Sequence, residues 1–173
     1  MTGDDKAIKS LKMPPDMIPE VLDSVVPREN MPRYNILVVE DNADDRMEIS
    51  RTLKKSPYVK HIQSFPTADK LKAHLVEQGY FKEGTKHSET LVLMDVYLPG
   101  TTGIELLSEM KLHPATANIP IIIVTGESSK EVVQAAHNLK ANAYVTKPIK
   151  LEDIHEVMDT GSGWPTDDKD TKK

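Results

Sequence analysis

The chain has no cysteine, which excludes a disulfide framework, a thiolate nucleophile and a cysteine-built zinc site. It has no basic excess either. Its 22 Lys and Arg stand against 27 Asp and Glu, for a net charge of −5, and a nucleic-acid surface would need a basic face to neutralise phosphates. No apolar run approaches the roughly 20 residues that cross a bilayer, and the opening MTGDDKAIKSLKM lacks the apolar stretch of a secretory signal. The expected address is therefore the cytoplasm, with neither membrane nor nucleic acid as partner. There is no internal repeat. The histidines His61, His74, His87, His113, His137 and His155 are scattered without metal-ligand spacing and read as surface or structural residues.

What is present is a chain of 173 residues, long enough for one compact domain with an appendage. Composition divides it into three zones: an extension over 1–32 rich in Pro and charge, a domain over 33–159, and a charged tail over 160–173 expected to be disordered. Within the domain, Asn35 to Val39, Leu91 to Met94 and Ile119 to Val124 are continuous apolar runs of the kind buried on both faces of a parallel sheet. Val59 to Phe65 is a more polar strand suited to an edge, and Ala143 to Thr146 is a short final one. Helical spacing links Ile49 with Leu53, Leu71 with Leu75, Ile104 with Leu107, and Val132 with Ala136 and Leu139; a last helix is expected over Leu151 to Met158. Five strand–helix units predict an α/β, doubly wound sheet.

Such sheets bind ligands beyond the carboxyl ends of their strands. There the sequence places Glu40 and Asp41, then Asp95, then Thr125, then Lys147 and Pro148. Clustered carboxylates with no soft ligand suit Mg2+ or Mn2+. A carboxylate beside such an ion can attack phosphorus, while an ammonium and a hydroxyl take up charge on the phosphoryl oxygens. Taken singly, each residue has a plainer reading: a solvated strand exit for Glu40 and Asp41, a loop cap for Asp95, a turn threonine, a surface lysine. The joint pattern carries the functional one.

In that pattern the sequence resembles the response-regulator receiver family of two-component signalling. The matching residues are Glu40-Asp41, the run from Met94 through Asp95 and Tyr97 to Gly103, Val124-Thr125-Gly126, and Tyr144-Val145-Thr146-Lys147-Pro148. The resemblance spans Arg33 to Asp159. It implies a five-stranded sheet in the order 2-1-3-4-5 and phosphorylation of Asp95 by a sensor histidine kinase or a histidine phosphotransfer protein. It implies metal binding by Glu40, Asp41, Asp95 and the carbonyl of Tyr97. It further implies a cis peptide before Pro148 and a switch pair of Thr125 and Tyr144. The long stretch from Glu77 to Glu89 is similar to that of small regulators serving bacterial phytochromes. A receiver-like module that is never phosphorylated is the alternative, and a phosphatase is disfavoured because Tyr97 occupies the place where that class wants a second acid.

Some features are specific to this chain. Lys140 stands where the family often has glycine, which puts the end of the fourth helix in question. Tyr97 could obstruct water attacking a phosphoaspartate, and Glu127 could orient that water. No output domain fits after the receiver, so signalling is expected through protein binding, phosphorelay or a homodimer. In the extension, Asp16 could cap a helix in which Met17, Ile18, Val21, Leu22, Val25 and Val26 form one apolar stripe, ended by Pro27. A short last helix is expected to leave an apolar groove for it.

Overall fold

The computed structural model describes residues 33–160 except 83, 85, 86, 88, 127 and 128. The expected N-terminal helix, the charged tail from 161 and Glu127 lie outside the described residues. Five strands alternate with five helices: β1 (Tyr34–Val39), α1 (Ala43–Leu53), β2 (Val59–Phe65), α2 (Ala68–Glu77), β3 (Thr90–Asp95), α3 (Gly103–Leu112), β4 (Ile121–Thr125), α4 (Lys130–Asn138), β5 (Ala143–Thr146) and α5 (Leu151–Thr160). All strand pairs are parallel, in the order β2-β1-β3-β4-β5. The polar strand β2 is an edge, as its composition requires, and the wholly apolar runs lie inside.

Side chains alternate across each strand, so the central strands feed two cores. Leu37, Val39, Val92, Met94, Ile121 and Ile123 pack with α2, α3 and α4. Ile36, Val38, Leu91, Leu93, Ile122 and Val124 pack with Leu53 of α1 and Ile154 and Val157 of α5. The second core fastens the last helix, which runs two residues further than its sequence pattern marked. Strand β4 starts later than the apolar run, at Ile121 rather than Ile119. Pro120 has no N–H to give a ladder, although its carbonyl still accepts from the Val92 amide at 2.9 Å.

Four helices open on a residue whose side chain accepts the amide hydrogen three positions on: Asn42, Thr67, Thr102 and Ser129. This satisfies one of the orphan N–H groups at each helix start. Thr102 and Glu105 form a reciprocal capping box. Because each cap ends a loop leaving the carboxyl edge of the sheet, the caps also fix the loops that carry the candidate site.

The end of α4 settles the question raised by Lys140. Lys140 adopts φ +62°, its amide donates to the His137 carbonyl at 2.9 Å, and the Ala141 amide reaches back to Ala136 at 3.0 Å. The α2 terminus uses the same pair of bonds, from Gly79 to Val76 and from Tyr80 to Leu75, with Gly79 at φ +73°. Both are left-handed C-terminal caps of one design. Lysine adopts the turn that glycine was expected to make.

Candidate phosphoacceptor site

The carboxyl ends of β1, β3, β4 and β5 bring Glu40, Asp41, Asp95, Thr125 and Lys147 to one rim. Glu40, Asp41 and Asp95 each offer an oxygen within 4.8 Å of the others. Glu40 and Asp95 are buried, and Asp41 faces solvent. Two inner carboxylates and one outer one make a pocket open on one side. All donors are hard oxygens, which fits Mg2+ or Mn2+.

Lys147 holds the inner pair together. Its Nζ donates to Glu40 Oε2 at 2.6 Å, to Asp95 Oδ2 at 2.9 Å and to Asp45 Oδ2 at 2.8 Å. Burial works against the ammonium, but bonds to Asp45, Glu40 and Asp95 outweigh it and hold its pKa above the ordinary lysine range. Burial pushes Glu40 the other way, up to about 7, with Asp95 adding to the rise while Lys147 and the Asn42 amide oppose it. The Asn42 amide donates to Glu40 Oε1 at 3.0 Å, so both Glu40 oxygens are engaged. The Lys147–Pro148 peptide is cis, and the Lys147 amide donates to the Thr125 carbonyl at 2.9 Å.

Asp95 is positioned from below. Its Oδ1 accepts from the Tyr97 amide at 3.2 Å. The Gly103 amide donates to the Val96 carbonyl at 2.7 Å, drawing the start of α3 against the end of β3. A Cβ on Gly103 would stand 2.0 Å from the Asp95 carbonyl oxygen, so this closeness requires glycine. Thr125 is fully buried at the end of β4. Tyr144 is half-buried on β5, and its hydroxyl is held above the ordinary range by burial, with Tyr97 and Asp95 contributing. The Tyr97 ring stands out into solvent.

Three residues of this site were not singled out in the sequence. Asp45 is the third residue of α1, and its amide bonds the Asn42 cap while its carboxylate meets Lys147. Arg46 Nη1 donates to the carbonyls of Glu40 and Asp41, both at 2.8 Å, and so braces the acidic loop. Gly103 was quoted only as part of a motif. The signal for Asp45 and Arg46 was their place one turn into a capped helix that follows Glu40-Asp41, where side chains lean back toward the loop.

The parallel sheet, its strand order and the acidic rim define a receiver. A family model described as response regulator receiver domain matches residues 36–159, and the chain belongs to that family. Among similar proteins, response regulator Rcp1 of Synechocystis sp. is 29% identical over 130 residues, covering 75% of this chain and 87% of Rcp1. Sporulation initiation phosphotransferase F of Bacillus subtilis is 30% identical over 128 residues, covering 74% of this chain and 93% of that protein. The solved Mn2+-bound form of Rcp1 superimposes with a TM-score of 0.57 over 72% of this chain and 88% of that one. The phosphorylated cyanobacterial phytochrome response regulator RcpA, 25% identical, also gives 0.57, over 73% and 89%. Phytochrome-associated regulators are thus among the relatives. Among the described residues, no helix is long and apolar enough to cross a membrane.

Proposed function

We propose that Asp95 is the phosphoacceptor of this receiver, and that the domain spans residues 33–159 between an extension and a tail. One observation carries the reading: a lysine ammonium, a buried glutamate and a buried aspartate meet within hydrogen-bond distance beside a third, solvent-facing carboxylate. Asp95 Oδ attacks the phosphorus of a phosphohistidine, the P–N bond breaks, and the leaving imidazole takes up a proton from solvent. The product is an aspartyl phosphate. Hydrolysis later returns Asp95 and inorganic phosphate.

Glu40, Asp41 and Asp95 would hold Mg2+ or Mn2+, with the Tyr97 carbonyl as a further ligand. When bound, the ion would neutralise the carboxylates and draw charge from the phosphoryl oxygens. Lys147 changes partner during the reaction, exchanging its contact with Asp95 Oδ2 for a phosphoryl oxygen. Thr125 supplies a hydroxyl to the same group and Tyr144 follows it inward. Arg46 keeps the acidic loop in place by its two carbonyl bonds.

The donor is a sensor histidine kinase or a histidine phosphotransfer protein in the cytoplasm. Output passes through protein contacts, a relay or a homodimer, with no catalysis beyond the protein's own phosphorylation and dephosphorylation. The intact rim favours this cycle over a receiver that is never phosphorylated. Incubation with a small phosphodonor should add the mass of one phosphoryl group in Mg2+ and far less in EDTA. Equal labelling under both conditions would refute the metal assignment.

A further inference from the structure

Among the described residues, five large hydrophobic side chains stand exposed, and three of them, Val76, Phe81 and Leu112, line one groove. The groove has a volume of about 510 Å3, lies between α2 and α3, and is floored by Leu75, Leu106 and Met110. In its lining the Phe81 ring meets His113 edge-on at 4.7 Å. Leu112 is 80% exposed and Val76 65% exposed, and contiguous exposed apolar side chains of this kind mark an interaction surface.

The position of the groove indicates what covers it. Helices α2 and α3 run back from the carboxyl edge of the sheet, so their final turns reach the edge where the parallel strands begin. Strand β1 lies between β2 and β3, the strands that feed these two helices, and its Leu37 and Val39 share one core with Leu75 and Met110. The chain therefore enters the described fold, at Arg33, at the groove's own end of the molecule. Helix α5 offers no comparable surface, since Ile154, Val157 and Met158 are buried against the sheet.

Just before this entry point, Met17, Ile18, Val21, Leu22, Val25 and Val26 fall on one side of a helical projection, opposite Asp16, Glu20 and Asp23. Residues 16–26 as a helix would be about 16 Å long, close to the length of α3. The intervening residues 27–32 can span up to about 20 Å, a reach longer than the helix itself, which leaves the segment room to fold back toward the groove. Isolated helices of this length are marginal in water and are stabilised by packing. We infer that residues 16–26 of the same chain dock as an amphipathic helix in the α2–α3 groove, covering Val76, Phe81 and Leu112.

The absence of cysteine makes the test direct. In the full chain, Leu112→Cys is paired with Leu22→Cys or, to allow for helix register, with Val25→Cys. The control pairs the same segment positions with Met47→Cys, also exposed, on α1 across the sheet. Under mild oxidation at least one groove pair should close an intramolecular disulfide, at monomer mass, ten-fold or more faster than its control. In parallel, Leu22→Glu with Val25→Glu should raise binding of an apolar dye several-fold, and adding Leu112→Glu should remove that rise. Equal crosslinking in groove and control pairs, crosslinks found only between two chains, or unchanged dye binding would each overturn the inference. None of these readouts depends on phosphorylation.

Discussion

Lys147 reports the electrostatic state of the rim more directly than any other residue. It balances the buried carboxylate of Glu40, and its loss would leave Glu40 and Asp95 facing each other without a counter-ion. Removing one partner of a buried ion pair costs about 3 kcal/mol. Lys147→Ala should lose about that much in urea unfolding with EDTA, and Mg2+ should restore a good part of it by replacing the missing positive charge. No recovery with Mg2+ would argue against a shared cation site. Gly103 acts through backbone alone. Gly103→Ala forces a Cβ into the Asp95 carbonyl, so the end of β3 and the start of α3 must separate. Overpacking of this kind costs about 1–3 kcal/mol. Because Asp95 itself moves, phosphorylation should slow at least ten-fold even in the fraction that stays folded. Tyr97 sits two residues after Asp95 with its ring in solvent, where it would flank water approaching an aspartyl phosphate. Tyr97→Asn should shorten the phosphoform's lifetime several-fold; an unchanged decay would remove the ring from the account.

At the scale of elements, the apolar runs made the sheet legible because a parallel strand buried on both faces has no polar positions to obscure it. The edge strand β2 was legible for the opposite reason. What escaped was contact made through helix pitch and close backbone approach. Asp45 in the first turn of a helix has an ordinary explanation in the helix dipole, so sequence alone could not show that its carboxylate reaches a lysine about a hundred residues away. Gly103 reads as a loop glycine until the Asp95 carbonyl is seen beneath it. Lys140 was legible as an anomaly but not as an outcome, since the same pair of cap bonds forms with glycine at α2 and lysine at α4. A left-handed lysine carries about 1–2 kcal/mol of strain. Glycine there would lose about 0.5–1 kcal/mol of that gain through its freer unfolded chain. Lys140→Gly should therefore stabilise the protein by up to about 1.5 kcal/mol in denaturant unfolding, and a loss would contradict the strain argument.

Helix α5 offers a pH test at the same scale. Ser56 Oγ lies 2.7 Å from His155 Nε2 and accepts the Tyr58 amide at 3.2 Å, while the imidazole stands edge-on to Tyr58 at 4.9 Å. Burial lowers the His155 pKa, with Asp159 and Glu152 opposing. The unfolded state then binds a proton more readily than the folded one. Its contribution to stability is full above about 6.5 and falls as pH drops through that value. Glu40, raised to about 7, works in the opposite sense, because its folded form takes up the proton first. The informative quantity is thus the difference between wild type and His155→Asn, which share Glu40. Wild type should lose more stability than the variant between pH 7 and 5.5, and parallel curves would show that His155 does not carry the effect.

Across the whole molecule, the two ends of the sheet have separate work. The carboxyl edge gathers Glu40, Asp41, Asp95, Thr125 and Lys147 from four strands far apart in sequence, and the caps Asn42, Thr102 and Ser129 hold the loops between them. Opposite, the long connection after α2 is fastened by Tyr80, which stacks on His87 at 4.2 Å and bonds Thr90 at 3.0 Å, well away from the rim. The α2–α3 groove opens at that end too. Family membership follows from the fold and the family match; the assignment of Asp95 rests on the geometry of the rim. Its most direct test is to locate the phosphoryl group. Full-length protein phosphorylated in Mg2+ is reduced with borohydride, which converts an aspartyl phosphate to homoserine, and the peptides are sequenced by mass spectrometry. The expected result is homoserine at position 95 alone, and none in Asp95→Asn. Homoserine at Asp41 or Glu-derived reduction at Glu40 in the wild type, or undiminished phosphorylation of Asp95→Asn, would contradict the account.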